Sequence, residues 1–100
     1  MSRPRYYWHG LVKKMIYRYY SLKDYKSLQE FLFYQAINAA LKEFDSMTYP
    51  TERYWVIEQV LFKQRLTVDG AAQDLCFSSA TVNRWINDFV KKVGKNAGFT

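Results

Sequence analysis

Cysteine, histidine, proline and glycine are all scarce in this chain, and each scarcity removes a class of explanation. Cys76 is the one thiol. It can form no intramolecular disulfide, which fits a reducing compartment and sets the expectation of a cytoplasmic protein. His9 is the one imidazole, so no His/Cys set has the spacing that holds a metal ion. No glycine-rich loop is available to cradle a phosphate. Asp69, Asp74 and Asp88 are not paired at a spacing that suggests a metal-dependent nuclease. The expectation is therefore no enzyme, no cofactor and no metal, with Cys76 a small buried turn residue and His9 a surface or half-buried helix residue. No apolar run approaches ~18 residues, so no membrane span is expected. The N-terminus has no apolar leader, so secretion is not expected either.

What is present is apolar and basic. Of 100 residues, 49% are apolar and 19% aromatic, enough for one folded domain around a single core. Nine of the aromatics are tyrosines, which can pack a ring and still wet the hydroxyl. The net charge of +6 is sorted along the chain. Residues 1–26 carry seven basic side chains against one acidic, and residues 78–100 carry four against one. Residues 27–62 carry two basic and five acidic, and residues 63–77 balance. Ordinary solubility charge would not sort in this way, whereas a polyanion binder can set two basic ends against phosphate.

The periodicity is helical throughout, with no repeat, interior linker or persistent strand pattern, so the expected fold is all-α with four to five helices. Ser2 and Pro4 open a helix over Tyr6 to Tyr19 or Tyr20, with Trp8, Leu11, Val12, Met15 and Tyr19 on its apolar face. Lys13, Lys14 and Arg18 form its basic back, which is either a solvated surface or a track along a phosphate backbone. Ser21 to Lys26 connects to a second helix from Leu28 to Met47, begun by a capping box of Ser27 and Glu30. Phe33, Ile37, Ala40, Leu41, Phe44 and Met47 make its core stripe, while Phe31 and Tyr34 lie to the side, where a second subunit could meet them. Pro50 starts a helix from Thr51 to Phe62 with Tyr54, Ile57, Val60 and Leu61 inward and Trp55 beside them. Lys63 and Arg65 follow in a link that could contact backbone phosphate.

The remaining stretch, Leu66 to Val90, carries a two-helix pattern. Thr67 can cap a helix over Val68 to Leu75, and Ser78 a second from Ser79 to Val93, stopped by Gly94. Ala72 is small where the helices cross, Cys76 sits at the turn, and Val82 faces back into the angle. The second helix turns Ser78, Ser79, Ala80, Asn83, Arg84 and Asn87 outward. This resembles the helix-turn-helix of DNA-binding proteins, with Ser79–Val93 as recognition helix. Its turn position is usually glycine, and here it is Cys76. The chain is thus expected to divide into a helical pair (1–47), a three-helix unit containing the motif (50–93) and a frayed tail (94–100).

From about Tyr49 to Phe99 the sequence resembles small phage regulators of the RinA/ArpU type, whose C-terminal part is similar to region 4 of sigma factors. The residues that carry the likeness are the Pro50-Thr51-Glu52-Arg53 helix start, the two-helix motif and the run Trp85-Ile86-Asn87-Asp88-Phe89-Val90-Lys91-Lys92-Val93-Gly94. The segment Pro4 to Met15 is similar to that of short prophage proteins. The resemblance implies a sequence-specific regulator of phage late genes, with Ser79, Asn83, Arg84 and Asn87 on its DNA-reading face. In chemical terms, Arg84 suits the O6 and N7 of guanine, and Asn83 and Asn87 suit adenine. Ser78 and Ser79 suit phosphate at a helix N-terminus. Lys91, Lys92, Lys13, Lys14 and Arg18 would add attraction independent of sequence. Expected partners are double-stranded DNA, RNA polymerase and a second copy of the chain. The rival readings are a terminase small subunit, a recombinase-type adaptor, or a protein–protein module docking polymerase.

Overall fold

In a computed structural model that describes residues 8–99, the last helix is the axis on which the others are laid. Six α-helices run in order: α1 His9–Tyr17, α2 Tyr19–Leu22, α3 Leu28–Lys42, α4 Pro50–Val56, α5 Val68–Leu75 and α6 Ser79–Asn96. A 3-10 turn, Glu43–Ser46, extends α3, and a π turn, Ile57–Phe62, extends α4. The described residues are 77% helical and contain no strand, as the periodicity requires. Helices α1, α3, α4 and α5 all pack on α6. The inner face of α6 supplies Val82, Trp85, Ile86, Phe89, Val90 and Val93, all buried. Each such side chain contributes roughly 1.5–3 kcal/mol on leaving water, so this one face outweighs any single polar contact.

Aromatic rings carry the core between elements. Tyr19 stacks on Tyr34 of α3 at 5.6 Å and on Phe62 at 4.4 Å, Phe62 meets Phe89 of α6, and Phe89 meets Phe44. The Tyr19 hydroxyl donates to Asn38 Oδ1. Among the described residues no polar side chain is buried and no buried side-chain polar atom lacks a partner.

Two local expectations meet their geometry and a third misses by one residue. Ser27 Oγ accepts from Glu30 N–H at 3.2 Å, Pro50 occupies the first turn of α4, and Glu30 Oε1 reaches back to the N–H of Lys26 rather than of Ser27. The boundaries differ more. The first long helix breaks at Arg18, where φ is −94° and ψ is 12°. The break re-aims the following turn, so Ser21 and Leu22 are helical and Leu22 is fully buried, while Leu11 is 40% exposed and Ile16 takes the inner place instead. Its expected start at Tyr6, capped by Ser2, lies outside the described residues. The helix from Leu28 is α-helical only to Lys42, and Met47 is already extended. In the helix from Pro50, the π turn rotates Leu61 and Phe62 into the core together with Val56 and Ile57, leaving Val60 half-buried and Tyr54 exposed.

The C-terminal segment is corrected outright. Gly94 does not end α6, which continues to Asn96, and residues 94–100 do not fray as far as they are described. Gly98, at φ +91°, takes the left-handed position that closes the helix. Phe99 N–H donates to Gly94 C=O at 2.9 Å and Gly98 N–H to Lys95 C=O at 3.1 Å, the paired bonds of a Schellman closure. Phe99 then stacks on Trp8 at 5.8 Å. Gly94 is needed for a different reason, because a Cβ there would lie 2.3 Å from Trp8 Cζ3. An alanine inside a helix ordinarily gains up to ~1 kcal/mol over glycine. Here the sign reverses: Gly94→Ala is expected to lose roughly 1–3 kcal/mol by overpacking the Trp8 seat, read as a lower urea midpoint. A midpoint at or above wild type would place Trp8 elsewhere.

Burial, with the neighbouring Tyr34, Tyr54 and Tyr20 adding to it, pushes the Tyr19 hydroxyl from 10.0 up to about 12. The unfolded chain releases this proton first, so the stabilisation is complete below pH 10.0 and disappears as pH rises through about 12. Tyr19→Phe should flatten the alkaline limb of a stability–pH curve in that window. An unchanged limb would assign the loss to other tyrosines.

Candidate nucleic-acid interface

The arrangement begins with two side-chain caps. Thr67 Oγ1 accepts from Gly70 N–H at 3.1 Å and starts α5, and Ser78 Oγ accepts from Thr81 N–H at 3.1 Å and starts α6. Both helix ranges open where the capping residues set them. Ala71 and Ala72 are buried where α5 lies against α6, since a larger residue would hold the helices apart. Between them the chain turns in three residues. Cys76 is left-handed, at φ 60° and ψ 34°. Cys76 N–H donates to Gln73 C=O at 3.2 Å and Phe77 N–H to Ala72 C=O at 3.0 Å, the same closure that ends α6. The Cys76 side chain is exposed, which corrects the expectation of a buried turn residue.

Phe77 anchors the turn. Its ring meets Trp85 at 5.2 Å and Tyr49 at 5.1 Å, both edge-on. The Arg53 guanidinium lies over the Trp85 ring at 5.0 Å and is steadied by Nε donation to Thr48 C=O at 2.6 Å. Trp85 is therefore fixed from α4 as well as from its own helix, and with it the rotation of α6 about its axis.

That rotation sorts the candidate residues. Ala80, Asn83, Arg84, Asn87 and Lys91 are exposed on successive turns of α6, while Val82, Trp85, Ile86 and Phe89 are buried. Ser78 is exposed, but its hydroxyl is engaged with Thr81. Ser79 is half-buried and donates to Asp69 Oδ1, so its hydroxyl joins α6 to α5 and places a carboxylate beside the helix start. Neither serine hydroxyl stands idle for phosphate.

The other cations are dispersed. Lys92 pairs with Glu43 at 2.9 Å and Arg18 with Glu30 at 3.0 Å, tying α6 to the extension of α3 and the α1–α2 break to α3 itself. The Glu30 carboxyl is held below its ordinary pKa by the Lys26 N–H first and Arg18 second. Lys13 is half-buried and Lys14 exposed on α1, which is anchored at the far end of α6 by Trp8 on Gly94. Burial first, and the charge of Lys13 second, lower the His9 pKa, so the imidazole is less basic than a free one. Lys63 and Arg65 are exposed in the link after the π turn, where Gln59 C=O accepts the N–H groups of Arg65 and Leu66. Tyr20 has a raised pKa, from burial first and Glu58 next, and Arg65 opposes that rise, which puts the Arg65 charge near α2.

Sequence reasoning passed over Lys95, exposed one turn beyond Lys91 on the same helix, because α6 was expected to stop at Gly94. The i, i+4 spacing of the two lysines was the available signal. Asp69 was also missed as the partner of Ser79, a contact between helices that no local pattern announces. No family model, curated protein or solved structure matches the chain.

The left-handed turn yields a direct test. A residue with a Cβ held at this φ costs on the order of 1 kcal/mol, which glycine avoids. Cys76 is exposed and offers little packing to lose. Cys76→Gly is expected to raise the melting temperature and Cys76→Val, branched at Cβ, to lower it. The reverse order in thermal melts would mean that the turn relaxes to another conformation.

Proposed function

We propose that this chain is a DNA-binding transcription regulator that reads the major groove with the first three turns of α6, presented by a helix-turn-helix made of α5, the Cys76 turn and α6. The observation that carries the reading is the exposed series Ala80, Asn83, Arg84, Asn87 on a helix whose other face is locked in the core. The residue types fit the ligand. Arg84 has the forked donors for guanine, Asn83 and Asn87 have the amide donor and acceptor for adenine, and Ala80 is short enough for close approach or a thymine methyl. A helix of 18 residues is ~27 Å long and enters a groove ~12 Å wide.

Two further features support nucleic acid over a protein partner at this face. None of the exposed large apolar residues lies on α6, whereas protein interfaces are built on such anchors. The chain carries +6, and Lys91 and Lys95 continue the outer face beyond Asn87. Lys92 and Arg18 are assigned to structural ion pairs in this reading, and the lysines of α1 to general attraction. The likeness to RinA/ArpU-type phage regulators belongs to the same proposal, with RNA polymerase as the factor such a regulator would engage.

The test is selection from a random duplex pool, followed by anisotropy on the winner. Arg84→Ala should cost ~1–3 kcal/mol on the selected duplex and relax the base preference at one position. Its melt should match wild type, because the side chain is exposed. Retention of the full preference by this variant, or no binding to any duplex at low salt, would overturn the reading.

A further inference from the structure

We infer that the outer face of α3 is a self-association surface, on which a second copy of this chain seats its own α3 antiparallel. Helix α3 is apolar on both sides. Its inner face buries Phe33, Ala36, Ile37 and Ala40 in the core. Its outer face leaves Leu28 71% and Leu32 46% exposed, with Gln35 and Ala39 exposed on the next turns. These four positions advance by four, three and four residues, the spacing of a seam that holds one helix against another. Depressions border the ridge on both sides, one lined by Leu32, Ala97 and Phe99 and the other by Tyr34, Asn38 and Ala39. Neighbouring ridges can settle into such grooves.

Charge identifies the occupant. Two copies of a +6 chain repel, and an isologous contact lays one patch against its own copy, so a patch rich in one charge would resist pairing. From Leu28 to Leu41 the only charged residue is Glu30, and Arg18 already neutralises it. This face can meet its own copy without like-charge repulsion. The ends then favour the antiparallel sense. Exposed Lys23, Asp24 and Lys26 precede α3, and exposed Lys42 and Asp45, with half-buried Glu43 between them, follow on its last turn and extension. Antiparallel pairing brings each of these ends beside the other in the partner, so each acid finds a base. The side chains agree in size, because the same alignment sets Leu28 opposite the small Ala39 and Leu32 opposite Gln35. A parallel pairing would stack Leu28 on Leu28 and every end charge on itself.

The surface leaves out Ala80, Asn83, Arg84 and Asn87 of α6, so its test stands whether or not the chain binds DNA. Light scattering across micromolar to submillimolar concentration should show a mass rising from one chain to two. Leu32→Glu should hold the mass at one chain with an unchanged melt, since the side chain is already half in water. Gln35→Lys, polar for polar, should do the same. In a Cys76→Ser background, Leu28→Cys combined with Ala39→Cys should oxidise to a covalent dimer, while either single substitution should not. A chain that stays single at every concentration, or a dimer that survives Leu32→Glu and Gln35→Lys, overturns the surface. Efficient linking by Leu28→Cys alone overturns the antiparallel register.

Discussion

Burial of one face of α6 is the constraint from which the rest of the structure follows. Its apolar residues recur at helical spacing from Val82 to Val93, about three turns, and other helices cover them from several sides. Once Val82, Trp85, Ile86, Phe89 and Val93 are committed inward, Ala80, Asn83, Arg84 and Asn87 have nowhere to go but outward. The candidate interface is thus not assembled from loops brought together by chance. It is the back of the core, and its side chains inherit the rigidity of what lies behind them.

Much of this was legible because the signals are local. The caps at Ser27, Thr67 and Ser78, and Pro50 at a helix start, act within one turn of the chain, so the sequence pattern carries the physics that places them. The outward set on α6 was legible for the same reason, as a period of apolar residues read from its other side. What was illegible is decided between elements. The break at Arg18, the π turn after Val56 and the burial of Leu22 answer to partners far along the sequence. Gly94 shows the limit most plainly. Glycine near the end of a periodic run reads as a stop, yet here it makes room for an indole from another helix. Single-sequence reading sees that the side chain is missing but not what fills the space.

The basic residues repeat that division. Net charge and its sorting along the chain were readable, but the employment of each cation was not. Arg18 and Lys92 sit at positions suited to phosphate and are instead bound to Glu30 and Glu43, both on α3 or its extension. Exposed pairs of this kind contribute little to stability, a few tenths of a kcal/mol to about 1. They engage two of the five acidic side chains of residues 27–62, while Arg84 and Lys95 are exposed on α6.

The meeting of Trp8 with Gly94 and Phe99 has a consequence for how the molecule comes into being. Translation proceeds from the N-terminus at ~5–20 residues per second. The end of α6 that receives its indole is made 86 residues after Trp8 (94 minus 8), so for roughly 4–17 s α1 has no completed groove to enter. Until then α1 can meet only its other neighbours, α3 and the π turn. Joining distant parts of the sequence also carries a loop-closure penalty that slows the final docking. The nascent chain is therefore open to capture by a chaperone or protease through Trp8 until Gly94 and Phe99 arrive to cover it.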